Sequence, residues 1–135
     1  MTAYSGEISA ADAATVGDDI LAINNEQWAQ SNQRRILTKV WIVGSTNAGD
    51  MIVDVAIGDK IVATLYNTQG GANVVGNRDD EVTICHYVGS GSPVQLIIRD
   101  VPATNPIRYC FWFKPWRTRR QRFGRFVRNF RRRRY

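Results

Sequence analysis

The sequence predicts an all-β protein, an antiparallel β-sandwich, followed by a cationic tail. Three observations carry that prediction. Between Arg34 and Trp116, short runs rich in β-branched and aromatic residues recur between clusters of Gly, Pro, Asn and Asp. Two of these runs flank Gly58-Asp59, a two-residue hairpin signal in which glycine supplies the positive φ of a primed turn. Finally, the 135 residues end RTRRQRFGRFVRNFRRRRY, nineteen residues with ten arginines and no acid. A segment of that composition cannot enter a core.

Taken in order, residues 1–33 are polar and read as an N-terminal arm, extended or partly helical. Thr15 with Asp18 resembles a capping box, and Val16, Ile20 and Ile23 supply a helical stripe. Gly17 and the Asn24-Asn25 pair oppose a longer helix. The sandwich spans 34–116. RRILTKVWIVG (34–44) alternates Ile36, Thr38, Val40 and Ile42 against Leu37, Lys39, Trp41 and Val43. MIVDVAI (51–57) and KIVATLY (60–66) make the hairpin, and EVTICHYV (81–88) and PVQLIIR (93–99) follow. IRYCFWFK (107–114) is the last of six clear strands, with a seventh expected around Ala72 to Val75. Its Ile107, Tyr109, Phe111 and Phe113 face one way, an aromatic load that predicts an interior strand. Pro115 ends it by removing a donor.

Charge is divided along the chain. Residues 1–113 hold 7 Lys and Arg against 12 Asp and Glu, a net −5, whereas residues 114–135 hold 11 basic residues and no acid, a net +11. The tail therefore meets a polyanion or an anionic membrane. The start of the chain lacks the charged and apolar regions of a signal peptide, and no apolar run reaches the length of a membrane span, so assembly in cytoplasm is expected. Cys85 and Cys110 sit in strand-like runs and read as buried thiols, with neither metal spacing nor a predicted disulfide.

Candidates for chemistry are few. His86, in phase with Val82, Ile84 and Val88, reads as a core or interface histidine. Asp79, Asp80 and Glu81 offer oxygen ligands to Ca²⁺, yet three consecutive acids cannot all face one ion, so they read as a solvated loop. Asp54 and Asp59 have nothing that sets their separation. No nucleophile elbow, phosphate loop or dinucleotide fingerprint is present. We expect no enzyme, no cofactor and no metal.

The tail carries the functional reading. Arg117, Arg119, Arg120, Arg122, Arg125, Arg128, Arg131, Arg132, Arg133 and Arg134 supply guanidinium forks that bind phosphate bidentately. As a helix, the segment gathers Phe123, Phe126, Val127 and Phe130 within an arc of about 100°. These phenylalanines can stack on bases, dock on a protein surface or enter a membrane interface. Nucleic acid is the favoured partner, because arginine is used in place of lysine.

A β-sandwich of mildly acidic net charge bearing an arginine-rich arm resembles the small jelly-roll structural proteins of icosahedral virions. The resemblance is architectural, covering 34–116 as body and 117–135 as arm. It implies a capsid protein whose partners are other capsid subunits and the packaged genome, located in the virion. Trp28 and Trp41 are then candidate interface anchors. Two departures are plain: the arm is C-terminal, and fewer than eight strands are visible. Where a membrane lies beneath the shell, the arm's partner becomes anionic lipid. A secreted cationic toxin and a DNA-binding regulator are the non-viral alternatives. The first lacks a signal peptide, and the second lacks a groove-reading element.

The charge division makes a direct prediction. Truncation after Trp116 should leave the β-type circular dichroism and a cooperative melt intact, and loss of either would show that the tail belongs to the core.

Overall fold

The structure is a computed structural model that describes residues 1–104 and 106–116. Seven strands form two antiparallel sheets: β1 (Thr2–Ile8), β2 (Arg35–Gly44), β3 (Ile52–Ile57), β4 (Lys60–Tyr66), β5 (Val82–Val88), β6 (Val94–Asp100) and β7 (Ile107–Pro115). One sheet has the order β1-β7-β2-β5, the other β4-β3-β6. The expected sandwich is therefore present, and the six strands read from the sequence lie within a residue or so of their expected limits.

β7 is an inner strand, as its aromatic face requires. Tyr109, Phe111 and Phe113 are essentially fully buried between the sheets. Tyr4 of β1 extends the row, with ring centroids 5.3 Å from Phe111, 6.0 Å from Phe113, and 5.5 Å between Phe111 and Phe113. Each phenylalanine at such a site is worth about 3–5 kcal/mol against alanine. β3 and β4 turn at Gly58, whose φ of +61° falls on the first turn residue, the place a II′ hairpin demands it.

The strict alternation expected for β2 fails at Thr38. The register moves from Leu37 opposite Phe113 to Lys39 opposite Trp112, so Thr38 is the extra residue of a bulge. Its hydroxyl donates to the Trp112 carbonyl at 3.1 Å. The bulge changes phase, bringing Arg35 and Leu37 inward below it and Val40 and Ile42 inward above it.

The first 33 residues also differ from an arm. β1 pairs along its whole length with β7, from Thr2 opposite Phe113 to Ile8 opposite Ile107. Residues 17–31 then run antiparallel along the open edge of β6. Ile98 N–H donates to Asp18 O (2.9 Å), Leu96 N–H to Asp19 Oδ1 (3.0 Å), Val94 N–H to Gln27 O (3.0 Å) and Gly91 N–H to Ser31 O (2.7 Å). A sheet edge that would otherwise be exposed is thus covered. The helix expected in this region is the single turn α1 (Ile20–Ile23). Its N-cap is Asp19, which accepts from Leu21 N–H; Thr15 does not fill that role. Ile20 and Leu21 plug the core, while Val16 is exposed.

Tyr109 ties this segment down. Its hydroxyl donates to Glu26 Oε1 at 2.8 Å and accepts from Asn24 Nδ2 at 3.0 Å. Gly6 lies beneath, where an added Cβ would overlap both the Tyr109 hydroxyl and the Asn24 amide. Gly6→Ala is therefore expected to cost roughly 1–3 kcal/mol by overpacking, measured as a lowered urea midpoint at unchanged m-value; an unchanged midpoint would show that the site can relax.

Candidate nucleic-acid interface

The connections of the sandwich sort onto two ends. β1 and β2 begin, and β7 finishes, at one end, together with the 58–59 hairpin tip and the 89–93 connection. Arg35 fastens this end: its guanidinium donates to Gln33 O (3.3 Å), Gly89 O (3.1 Å) and Ser92 O (2.8 Å), and it lies 5.0 Å from the centre of the Phe113 ring. Burial lowers its pKa. An arginine held by carbonyls and a ring carries its charge with no carboxylate to neutralise it.

The tail starts here. Trp116 N–H donates to Arg34 O at 3.4 Å, and its indole meets the edge of the Tyr87 ring with centroids 4.9 Å apart. The tail residues named above, Arg117 through Arg134 with Phe123, Phe126 and Phe130, lie outside the described residues. Of the twelve acids of the chain, one, Asp59, lies in the 58–59 tip and the 89–93 connection at this end; Glu26, in the connection that leads into β2, is bonded to the Tyr109 hydroxyl. Arg34, Lys60 and Lys114 are exposed there, and among the described residues no carboxylate pairs with them. The opposite end carries Asp50, Asp79, Asp80 and Asp100. Charge is thus divided in space as it is along the chain.

The outer face of the four-stranded sheet is partly roofed. Ala72 to Val75, expected as a seventh strand, form no strand; residues 72–76 cross this face and are held by Arg108, which donates to Ala72 O (3.2 Å) and Val74 O (2.8 Å). Gly76 rests on the Trp41 ring, leaving no room for a Cβ. Trp41 is therefore 8% exposed and cannot anchor a partner, whereas Trp28 is 52% exposed. Beside this roof a groove of about 540 Å³ is floored by Trp41, Cys110 and Trp112 and edged by Glu7, Arg78 and Arg108.

Of the acids weighed as ligands or catalysts, Asp54, Asp80 and Glu81 are engaged in the fold, whereas Asp59 and Asp79 are exposed. Asp54 accepts from Thr64 Oγ1 at 2.7 Å and pairs with Arg99 at 2.9 Å. Glu81 pairs with Lys39 at 2.9 Å, and that ammonium lies 4.6 Å from the centre of the Trp112 ring. Asp80 is buried, contrary to a solvated loop. It closes a capping box with Asn77 and accepts from Thr68 Oγ1 (2.5 Å), Gln69 Nε2 (2.6 Å) and Asn77 N–H (2.8 Å). Burial alone would raise its pKa, but these three bonds outweigh it and hold the carboxyl below its ordinary 3.8. No cluster of three or more metal-ligating side chains occurs among the described residues.

His86 is half-buried on the edge strand, its Nδ1 2.8 Å from Tyr87 O. Both cysteines are free. Cys110 is buried, and desolvation pushes its thiol up to about 11. Cys85 is exposed, contrary to expectation, because β5 is an edge strand and the backbone at Cys85 has φ +49°. No helix among the described residues is long and apolar enough to cross a membrane. No protein family, curated protein or solved structure matches this chain.

Sequence reasoning passed over Arg35 and Asn67, both fully buried. Asn67 accepts from Met51 N–H (2.9 Å) and donates to Gly44 O and Asn47 O, each at 2.8 Å. Neither position has a pattern that marks it. The pairing of Trp116 with Tyr87 joins residues 29 positions apart and is equally silent in the sequence.

Asp80 sets a pH dependence. Its folded pKa is depressed, so its stabilisation is present above the ordinary carboxylate value and is lost as pH falls through the folded one. Asp80→Asn should cost roughly 2 kcal/mol at neutral pH, and its melting temperature should fall less than that of the wild type between pH 4 and pH 2. Parallel curves for the two proteins would refute this role.

Proposed function

We propose that this chain is a shell-forming structural protein of a virus particle, with a jelly-roll body short of one regular strand and an arginine tail that holds packaged nucleic acid. A jelly roll is a long hairpin rolled up so that its antiparallel pairs nest within one another. The support here is the nesting of β1 with β7, residues 17–31 with β6, β2 with β5, and β3 with β4. Residues 17–31 stand where the missing strand belongs, with Asp19 bridging Ile97.

The observation that carries the functional part is the position of the charge. Eleven cations follow residue 113, and they begin at the end of the sandwich whose hairpin tip and 89–93 connection hold one acid, Asp59. A body arranged in this way can turn its acidic end outward and its basic end toward a polyanion. Tail arginines would neutralise phosphates without reading sequence. The exposed Trp28 and the exposed edge of β4, with Ile61 and Tyr66, are surfaces for neighbouring subunits.

Purified full-length protein is expected to assemble into closed particles that contain nucleic acid, seen by electron microscopy and absorbance ratio. Duplex affinity should fall with salt at a log–log slope no steeper than about −9, set by ten arginines, and should hardly depend on sequence. Replacing the ten arginines by lysine should weaken duplex binding more than binding to anionic liposomes. Replacing Phe123, Phe126 and Phe130 by serine should do the reverse. Salt-independent or absent duplex binding, together with strong liposome binding, would overturn the nucleic-acid reading in favour of lipid.

A further inference from the structure

Beside the root of the tail, the sandwich presents a patch whose make-up the tail alone does not explain. Tyr87 and Lys114 are cross-strand neighbours of Ile36 on either side, so the three side chains form one row across the outer face of the sheet. Trp116 closes the row, its ring plane inclined 68° to that of Tyr87. Tyr87 remains 43% exposed and Trp116 39%. The two rings are therefore held by each other yet keep much of their area open. Arg34 and Lys114 border them without a carboxylate partner among the described residues, and Arg117 continues the chain.

Exposed rings rimmed by unpaired cations suit one class of polyanion better than the others. A single strand offers phosphates to the cations and unstacked base faces to the rings. A duplex keeps its base faces stacked inside, so only its phosphates can engage such a surface. The connections at the same end hold Asp59 and the Tyr109-bonded Glu26 against four exposed or buried cations, which favours entry of a phosphate backbone.

We infer that Tyr87 and Trp116, flanked by Arg34 and Lys114, form a stacking clamp for unpaired bases at the root of the tail, so that the nucleic acid held by this protein is single-stranded. The clamp takes any base, because every base has a π-face, and the arginines beyond it follow the backbone. This rests on the reading of the tail as a nucleic-acid binder.

The test compares an oligothymidine of about 20 nucleotides, long enough to span clamp and tail, with a duplex of the same length on the full-length protein. The variant Tyr87→Ala/Trp116→Ala should bind the single strand about tenfold or more weakly, while its duplex affinity stays within about twofold of the wild type. Tyr87→Phe, which keeps the ring, should bind as the wild type does. Ultraviolet cross-linking of wild-type protein to the oligothymidine should map to the peptides holding Tyr87 and Trp116, a readout that needs no variant and so survives if the double alanine variant folds poorly.

Unchanged single-strand affinity, with cross-links only in the tail, would overturn the clamp and leave the tail reading standing. Equal weakening toward single strand and duplex would overturn stacking as its basis. A double variant that loses affinity only for phosphatidylglycerol vesicles would assign the patch to lipid. Wild-type protein that binds neither nucleic acid would bring down the tail reading itself, and the clamp with it.

Discussion

The rest of the structure depends on the burial of one aromatic row. Tyr109, Phe111 and Phe113 occupy alternate positions of β7 and cannot face water, so β7 must lie inside a sheet and a second sheet must cover it. β2 flanks it on one side. On the other side β1 pairs with it along its whole length and adds Tyr4 to the row. The last strand of the body thus pairs with the first, and β1 begins at the end of the sandwich where β7 finishes.

That pairing fixes where the charge goes. β7 runs toward the end fastened by Arg35, so Trp116 lies beside Arg34 and Lys114, at the end opposite Asp50, Asp80 and Asp100. Charges separated by more than about 8–10 Å in salt hardly interact, so the two ends can meet different partners.

Several polar groups are buried to hold loops in place, Arg35 and Asn67 through backbone groups and Asp80 through two side chains and one backbone N–H. Arg35 gathers three carbonyls, Asn67 pins the start of the 67–80 connection, and Asp80 pins its finish. Between those pins, residues 72–76 are laid over Trp41 and Cys110. A groove remains beside them, where Glu7 pairs with Arg108 and Glu81 with Lys39 while Arg78 has no ion pair among the described residues. Arg34 and Lys114, next to Trp116, are likewise without a carboxylate partner among the described residues.

The sequence by itself determined the strands, the hairpin at Gly58, the interior place of β7 and the division of charge. Each of these depends on spacing or composition within a few residues: alternation with a period of two, a glycine where φ must be positive, a run of like charges. The tertiary structure alone decided what depends on partners distant in the chain. Residues 1–33 carry a polar pattern that reads as an arm, yet β1 completes the sheet against β7 and residues 17–31 satisfy the open edge of β6, because unpaired N–H groups there required acceptors. Thr38 has the pattern of an ordinary strand residue and becomes a bulge, which turns Arg35 inward. Trp41 has the look of an anchor and is covered by Gly76. Trp116 and Tyr87, 29 residues apart, meet only because β5 and β7 both flank β2. Such contacts follow from which strands become neighbours, and that choice is made by the burial of the whole core and not by any local run of residues.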